Sequence, residues 1–529
     1  MKLSQLAIII AIIAGSSNAS SQQHDSPDPA AVGNTDAVIE GALHLRFKEE
    51  RGLETTGNST EDTNTTVHTV RGGDSIQEAI DLAEPGDVIE VWPGNYMEQA
   101  SKKYGLHITK DNIKLVAMGE PGGVRLLAKN QETGVYAAPD GCEYTDNKCD
   151  NILKGFSITG FSVEGFKANG IQTRWVDDFD FQKCSSVNNL MNGIYPTLSS
   201  NGRIVGCKSY GSLDSGLWIA GSNNVTATGN EIYESTTGFE VTVSKNLYVT
   251  NNDIHNNVVG IGLYHPNMAG TNPDYSSYDN WVFENNHVYD NNLPNTAPAN
   301  TFQAALQSGI GLLLVGISVH TIKNNVFEDN GWAGIIVAGF CTVQRTAFQT
   351  DCDKSPPKNG DPSANFNTIV DNKFAGNGYA PAFGLGADII YNQSPEDLLP
   401  GIEDQNCFFD NMSLDGSENA STVASNLPYP VCVKNEPPTP NADDEADTED
   451  DANDEADEEA DANDEADKDA DEEKPKDEDK GKGKDKEKPT STLISSSQAR
   501  ENPTSKASTK VCYLFVTFLS FTVMFVTLV

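Results

Sequence analysis

Two stretches of the chain, Ser215-Gly-Leu-Trp-Ile-Ala-Gly-Ser222 and Thr237-Gly-Phe-Glu-Val-Thr-Val-Ser244, share one pattern 22 residues apart. In each, a glycine is followed by apolar residues at the first and third positions after it. The pattern recurs with steps of 23, 23, 22, 22, 49 and 25 residues around Gly170, Gly193, Gly216, Gly238, Gly260, Gly309 and Gly334. Alternation of this kind predicts short strands, and a period near 22 residues predicts a solenoid of stacked coils.

A second strand in each repeat precedes a corner that is rich in asparagine. The corner positions are, in order, Cys184, Cys207, Asn230, Asn252, Asn286 and Asn325. Aligned asparagines can hydrogen-bond from coil to coil and tolerate left-handed backbone angles. Two or three short strands per turn, with Gly and Asn at the corners, predict an all-β parallel β-helix.

A solenoid needs capped ends, and the N-terminal cap is predicted to be a short helix. The run Ser75-Ile-Gln-Glu78 fits a capping box, with apolar residues along one side at Ile76, Ala79, Ile80 and Ala83. Pro85-Gly86 ends this helix, and strands over residues 88–92 and 113–116 are expected to begin the coil.

This opening resembles that of a known family. Asp74-Ser-Ile-Gln-Glu-Ala-Ile-Asp-Leu-Ala83, followed by Pro-Gly-Asp-Val-Ile-Glu-Val and Pro93-Gly-Asn-Tyr96, looks like the start of right-handed parallel β-helix proteins. These include pectate-lyase-like, NosD-like and alginate-epimerase-like proteins, and the later repeats resemble most a secreted bacterial β-helix repeat group of unassigned activity. The resemblance covers roughly residues 67–433 and implies a single-stranded right-handed parallel β-helix. It implies no single chemistry, since lyases, hydrolases, epimerases and non-enzymes share the opening motif.

The N-terminal region predicts a secreted glycoprotein. Residues 1–19 contain Lys2, an apolar run and small residues before Ala19, which is typical of a signal peptide, and the run is too short for a membrane anchor. Residues 20–66 are expected to be a glycosylated linker. The N-glycosylation sequons of the whole chain begin at Asn58, Asn64, Asn224, Asn392, Asn411 and Asn419.

The C-terminal region predicts a stalk and an anchor. Residues 434–494 are interpreted as a disordered acidic stalk, because 443–488 hold 25 acidic and 8 basic residues and few apolar ones. A solvated spacer is the simple interpretation, and weak binding of calcium or of a cationic surface is the alternative. Residues 495–529 combine small residues, a polar spacer and an apolar tail, which favours a GPI-attachment signal over a C-terminal transmembrane helix. The expected location is the extracellular face of the plasma membrane or the cell wall.

The net charge of −41 limits the possible partners. An acidic surface argues against nucleic acid, and it disfavours uronate polymers unless a cation bridges them. Calcium is therefore the one cofactor that the sequence leaves open, and we expect a monomer.

Cysteine usage also fits an oxidising compartment. Cys512 lies in the terminal apolar segment, and the other eight cysteines form an even set. Local spacing suggests the pairs Cys142–Cys149, Cys341–Cys352 and Cys407–Cys432. For Cys184 and Cys207, on adjacent coils, a strained disulfide and stacked free thiols are both open.

Candidate site residues are those that alternate away from the core on successive coils. The second position after each glycine gives Gln172, Tyr195, Trp218 and Glu240, and the fourth position gives Arg174 and Tyr264, with His265 next to Tyr264. Exposed aromatic faces suit sugar rings, so Trp218, Tyr195, Gln172 and Tyr264 are predicted to bind substrate.

Two catalytic arrangements are open on this face. Asp214 and Glu240 could form a general acid/base pair on a glycosidic bond. Tyr195 or His265 could instead abstract a proton beside a uronate carboxylate that Arg174 neutralises. Each residue also has a structural interpretation: aromatics that cover sheet surface, an Asp that caps a turn, a solvated Glu and a loop His.

The sequence thus leaves three functions open. The first is a carbohydrate-active lyase, epimerase or hydrolase. The second is a glycan-binding or adhesion protein without catalysis, and the third is a structural protein of the cell wall or coat. Burial of Tyr195 and Trp218 would favour the third.

Overall fold

The computed structural model describes residues 65–432, apart from 143–147, 266–277, 300, 349–351, 353–360, 395–396, 399–402, 415–421, 427–429 and 431. In this part of the chain the strands form three parallel sheets of 12, 11 and 11 strands, and each sheet receives one strand from each coil. The predicted parallel β-helix is confirmed, with three strands per turn. The signal peptide, linker, stalk and anchor predicted above lie outside the described residues.

Sheet 1 contains the strands Val67–Val70, Val88–Val91, Ile113–Ala117, Leu153–Thr159, Val176–Gln182, Ser200–Val205, Asn223–Thr228, Lys245–Thr250, Asp279–Glu284, Thr321–Lys323, Thr368–Val370 and Cys407–Phe409. Sheet 2 contains Gly94–Tyr96, Val124–Leu127, Phe161–Glu164, Ser185–Val187, Lys208–Tyr210, Glu231–Tyr233, Asp253–His255, His287–Tyr289, Val326–Glu328, Lys373–Ala375 and Met412–Ser413. Sheet 3 contains Tyr104–Ile108, Thr133–Ala137, Ile171–Arg174, Ile194–Thr197, Ser215–Ala220, Thr237–Thr242, Val259–Tyr264, Ile310–Val315, Ala333–Ala338, Ala387–Asn392 and Val423–Ser425.

The core lies inside the coil and follows the alternation in the sequence. The residues one and three positions after the repeat glycines point inward, as Leu217 and Ile219 do, and both are fully buried. The sixth repeat is a correction, because the strand register aligns Gly311 rather than Gly309 with Gly260 and Gly334, so that Ile310 points outward. Large side chains from sheet 1, among them Phe181, Trp281 and Phe283, complete the same continuous cluster. Each such side chain contributes about 1.5–3 kcal/mol when it leaves water, so stacking more coils adds stability in steps.

Asparagine ladders tie the coils together at two corners. At the corner between sheets 1 and 2, each side-chain amide donates to the next side-chain oxygen at 2.9–3.0 Å through Asn230, Asn252, Asn286, Asn325, Asn372 and Asn411. A second ladder, at 3.0–3.1 Å, joins Asn257, Asn291, Asn330 and Asn377 between sheets 2 and 3. These bonds satisfy buried amides that would otherwise cost about 1–3 kcal/mol each.

The first ladder corrects one glycosylation prediction. Asn411 is buried, and its amide donates to Ile369 O at 2.7 Å while its oxygen accepts from Asn372. A glycan on this nitrogen would disrupt its bond to Ile369 O, and the buried side chain leaves no room for a sugar in the folded coil. Asn224 is exposed and Asn392 half-buried, whereas Asn58, Asn64 and Asn419 lie outside the described residues.

The N-terminal cap is the predicted helix, which spans Ile76–Leu82. Ser75 Oγ accepts from Glu78 N at 3.2 Å, as in a capping box. A second free amide of this end is satisfied from the coil, because Glu98 Oε1 accepts from Ile76 N at 2.8 Å. Ile76 and Ile80 are buried against the first coil and close its open end.

The three local disulfides, Cys142–Cys149, Cys341–Cys352 and Cys407–Cys432, are present as expected. Cys184 and Cys207 are free thiols buried on adjacent coils, and Cys207 Sγ accepts from Cys184 N at 3.4 Å. Of the two alternatives for this pair, stacked thiols are the one that the structure has.

Two segments outside the coil cover part of the outer face of sheet 3. They are the helix Phe340–Ala347 and the connection 290–309, which includes a short 3₁₀ helix at Gln303–Ala305. Together with outward side chains such as Ile310, Val315 and Ile336, they form a second apolar cluster. Within the described ranges, no helix is both long and apolar enough to cross a bilayer.

Candidate active site

The predicted outward column lies on the outer face of sheet 3, in the expected register. Gln172 pairs with Tyr195, and Trp218 pairs with Glu240, which pairs with Gly262. The expectation of an open surface was wrong. Gln172 is fully buried, Glu240 is 1% exposed and Tyr195 is 8% exposed. Gln303, from the connection 290–309, covers Glu240, and the Trp218 ring covers one face of Tyr195. Trp218 and Asp214 are half-buried and mark the edge that solvent reaches.

The aromatic residues of this face are stacked on each other. The rings of Tyr195 and Trp218 lie 4.7 Å apart with an interplanar angle of 15°. In-register parallel strands are spaced about 4.8 Å apart, so like side chains on neighbouring coils meet at stacking distance. Trp218 Nε1 also donates to Thr242 Oγ1 at 3.0 Å. The prediction that these ring faces are open to sugars is therefore corrected, since each ring already covers a face of the other.

Asp214 and Glu240, by contrast, are brought together. Ser215 Oγ donates to Glu240 Oε2 at 2.5 Å, and Gln303 Nε2 donates to the same oxygen at 3.0 Å. Gln303 Oε1 accepts from Thr237 Oγ1 at 3.1 Å, which fixes the orientation of its amide. One carboxylate oxygen of Asp214 is buried without a partner among the described residues. Ser215 and Gln303 thus donate to Glu240, while one oxygen of Asp214 is left to accept a hydrogen bond.

The electrostatics of this pair are unusual for surface carboxyls. Burial and, second to it, the charge of Asp214 raise the pKa of Glu240 to about 8, although hydrogen bonds from Ser215 and Gln303 act in the opposite direction. Burial also raises the pKa of Asp214 to about 6, and hydrogen bonding with Gln303 and Ser215 offsets part of that effect. Desolvation destabilises each charged form, and two like charges cannot both ionise cheaply at close range. Near neutral pH, Asp214 is thus mostly ionised and Glu240 mostly protonated.

Tyr264 borders the acid pair on the next coil. It is fully buried, and its pKa is raised by burial first and then by the charge of Glu240. Its ring folds back over Gly262, where a Cβ would lie 2.3 Å from the Tyr264 hydroxyl oxygen. The glycine opposite Glu240 therefore makes room for a tyrosine that closes this side of the site. A substrate-binding role for Tyr264 would require that ring to move.

Of the other predicted catalytic residues, His265 lies apart from the rest. His265 is buried with its ring 4.7 Å from the ring of Phe340, three strands along the sheet from the Tyr195 strand. Arg174 is 9% exposed, with its guanidinium carbon 5.7 Å from the centre of the Trp175 ring. Its strand is four strands from the one that ends before His265, or about 19 Å, which is too far for Arg174 to neutralise a carboxylate beside His265. Tyr195 lies on the strand next to that of Arg174, so Tyr195 as the base stays a prediction.

Two residues of the site were missed from the sequence. Ser215 is the residue before the repeat glycine, and its equivalent Thr237 also bonds within the site, so the repeat alignment contained this signal. Gln303 lies in the 49-residue step between Gly260 and Gly309, where no repeat pattern indicates its position. Only the insertion starting at Pro266 was expected to form a wall, and residues 266–277 lie outside the described residues.

No metal site accompanies the acid pair in the described part of the chain. No group of three or more His, Cys, Asp or Glu side chains is arranged there to hold an ion. Calcium, the one cofactor left open by the sequence, stays a prediction.

Comparison with known proteins identifies the repeats. Residues 127–274 and 169–350, two overlapping segments, match the family model described as the right handed beta helix region. The described repeats therefore form a right-handed parallel β-helix, which confirms the fold class predicted from them and their resemblance to β-helix proteins. No curated protein sequence is significantly similar to the chain.

Solved β-helix structures are similar to this one at low identity. The mannuronan C-5 epimerase A-module of Azotobacter vinelandii is 14% identical, with a TM-score of 0.45, over 68% of this chain and 94% of that chain. The family 28 exopolygalacturonase of Yersinia enterocolitica is 12% identical, with a TM-score of 0.42, over 69% of this chain and 77% of that chain. The DFA-IIIase of Arthrobacter chlorophenolicus A6 is 12% identical, with a TM-score of 0.42, over 66% of this chain and 84% of that chain. No chemistry is transferred from these proteins to this chain.

Proposed function

We propose that this β-helix is a secreted, membrane-anchored protein that binds and hydrolyses an extracellular polysaccharide, with Asp214 and Glu240 as the acid/base pair. The observation that carries the proposal is a buried pair of carboxyls that share Ser215 and Gln303, a place that raises the pKa of Asp214 to about 6 and that of Glu240 to about 8. Titratable groups whose environments push their pKa values apart are typical of acid/base sites.

The two carboxyls would have different roles. At neutral pH, protonated Glu240 donates its proton to the glycosidic oxygen as the C–O bond breaks. Ionised Asp214, with its unpartnered oxygen, accepts a proton from the attacking water. Gln303 and Ser215 would hold the Glu240 carboxyl in place. Since Glu240 is 1% exposed, the connection 290–309 that carries Gln303 has to shift for substrate to enter.

The test uses the full-length protein, produced through a secretory pathway and kept in detergent, with neutral and uronate polysaccharides, with and without calcium. New reducing ends and unsaturated uronates are measured. We expect reducing ends, a rate maximum near pH 7 with limbs at about 6 and about 8, and a loss of at least about 100-fold in Glu240→Gln. Lys154→Met, which removes an exposed ion pair of sheet 1, is the matched control. Unsaturated products, or a Glu240→Gln enzyme as active as the parent, would exclude this mechanism.

A second candidate is a structural surface protein without catalysis. The observation that favours it is the burial of Tyr195 at 8% exposure and its stacking on Trp218. Under this alternative no polysaccharide yields products, and the acid pair only shapes the pH dependence of stability.

A further inference from the structure

A cavity of about 260 Å³ opens at the edge of sheet 3, away from the acid pair. The side chains and backbone that line it include Tyr379, Asn292, Gln307, Ser308, Gly309 and Gly331. None of these six carries a charged side chain. Two amides, a hydroxyl and a phenol around one small space are the groups that proteins use to hydrogen-bond ring hydroxyls.

One wall of this cavity is an unusually exposed ring. Tyr379 is 63% exposed, and the same loop also exposes Phe383 and Leu385, at 40% and 55%. Large apolar side chains that cluster in contact with water mark interaction sites more often than scattered ones do. Trp332 supports the loop from beneath, because its Nε1 donates to Leu385 O at 3.0 Å and its ring packs edge-on against Phe383.

The polar side of the cavity is already fixed in place. Asn292 Nδ2 donates to Asp329 O at 2.7 Å and to the Tyr379 hydroxyl at 3.1 Å, and Asn292 Oδ1 accepts from Gly331 N at 2.7 Å. The tyrosine hydroxyl therefore accepts from the protein and keeps its own proton to donate. A ligand would meet the ring, the Tyr379 hydroxyl proton and the second lone pair of Asn292 Oδ1, all of which need little reorganisation.

Charge near the cavity selects the kind of ligand. Burial raises the pKa of Tyr379, and the negative charges of Asp290 and Asp329 raise it further, so both carboxylates act on the ring that forms the wall. Their field would repel a uronate or a sulfated sugar. A neutral sugar residue has the hydroxyls and the apolar ring face that this cavity fits, without that repulsion.

The cavity and the acid pair are connected through the fold. Gln307 and Ser308 follow Gln303 in the connection 290–309, so one segment reaches both places. Strand register also places Gly309 in the column of Asp214, three strands further along the axis. Three spacings are about 14 Å, a distance that a short oligosaccharide can bridge.

We propose that this cavity is a remote subsite for a neutral sugar residue of the same polysaccharide on which the acid pair acts, an inference that rests on the proposed function. Tyr379 would cover one face of the sugar, and Asn292, Gln307 and Ser308 would contact its hydroxyls. Binding energy gained there would help to align the chain with Asp214 and Glu240.

The test measures binding by calorimetry with full-length protein that carries Glu240→Gln, so that no ligand is consumed. The probes are neutral β-glucan, mannan and xylan oligosaccharides, with oligogalacturonate as the charged counterpart. In this background Tyr379→Ala should weaken binding of a neutral oligosaccharide by at least about threefold, the lower end for loss of an aromatic contact. Tyr248→Ala is the matched control, because Tyr248 is 41% exposed and bonds one carboxylate, Glu284, on sheet 1.

Unchanged binding in Tyr379→Ala, binding of oligogalacturonate as tight as that of neutral chains, or no binding of any neutral chain would overturn the subsite. Turnover of a polysaccharide that Tyr379→Ala leaves unaffected would also overturn it and leave the acid pair in place. Binding that depends on Tyr379 in a protein that yields no products would support the cavity as a sugar site and defeat the hydrolytic function instead.

Discussion

Sheets 2 and 3 both carry rows of stacked rings on their outer faces, but the row on sheet 2 is half-exposed along its length. It consists of Tyr210, Tyr233, His255 and Tyr289, with neighbouring ring centres 4.7–5.2 Å apart. On sheet 3, Tyr195 and Trp218 stack at 4.7 Å, and Tyr195 is buried. The spacing is the same because both rows follow the strand spacing of the coil.

The carboxyls beside the two rows differ in the direction of their pKa shifts. On sheet 2, Lys208 Nζ lies 2.6 Å from Glu231 Oε2. The hydrogen bond between them lowers the pKa of the Glu231 carboxyl. On sheet 3, burial raises the pKa of Glu240 to about 8. The same repeat geometry therefore shifts the pKa of a carboxyl down on sheet 2 and up on sheet 3. The difference is that a segment outside the coil covers Glu240 on sheet 3.

The largest expected effect is on the pH dependence of stability. Glu240 has a folded pKa of about 8 against an ordinary value of 4.5, so the folded state binds more protons between these values. The stabilisation is complete below about pH 4.5 and is lost as the pH rises towards 8. From pH 5 to 7 this amounts to about 3 kcal/mol, and Glu240→Gln should remove that slope.

Chemical denaturation at pH 5 and pH 7 measures this slope. Glu231→Gln on sheet 2 is the control with the opposite sign, because a lowered pKa gives stability that is lost as the pH falls. Glu231 is partly exposed, so its effect should stay within about 1 kcal/mol. If the Glu240→Gln protein kept the pH slope of the parent, Glu240 would not be a buried acid.

The second prediction compares one ring from each row. Trp218→Ala should cost about 2–3 kcal/mol, because it removes the ring that stacks on buried Tyr195 and the bond to Thr242. Tyr233→Ala should cost only about 1 kcal/mol, since solvent fills the gap between Tyr210 and His255. Urea denaturation of both variants gives the two values. Equal losses would mean that the cover adds nothing to the packing of the sheet 3 row.

The third prediction concerns the glycine that faces the acid pair. Gly262→Ala places a Cβ 2.3 Å from the hydroxyl oxygen of Tyr264, whose buried ring has no free space to enter. We expect a loss of about 1–2 kcal/mol and displacement of the ring. Gly72→Ala is the control, because nothing lies within 4 Å of its added Cβ. Thermal unfolding of each variant gives the melting temperatures to compare. Equal melting temperatures for the two variants would show that the Tyr264 ring does not need the space left by Gly262.

Some of these features could be predicted from the sequence, and others could not. The inward residues, the asparagine ladder and the in-register placement of Trp218 beside Glu240 follow from a repeat of about 22 residues, because each coil meets only its neighbours. Stacking of Tyr195 on Trp218 was equally implied by that register, although the rings were expected to face sugars. Burial of Glu240 could not be foreseen, because the connection 290–309 that supplies Gln303 has no repeat. Coverage of a solenoid face depends on segments that its periodicity does not describe.

The smallest expected effect tests whether the open row depends on its flanking charges. Lys208 and Glu231 are 58% and 35% exposed, so Lys208→Met should cost less than about 1 kcal/mol and lose even that in high salt. Lys154→Met is the matched control. Lys154 Nζ lies 2.7 Å from Asp177 Oδ2 on sheet 1, and the two side chains are 56% and 29% exposed. This ion pair does not flank the aromatic row of sheet 2. Denaturation of both variants at low and high salt should give the same small, screened loss. A larger, salt-insensitive loss for Lys208→Met would show that its aliphatic stem packs on the row, in which case sheet 2 would be partly covered too, by its own side chains.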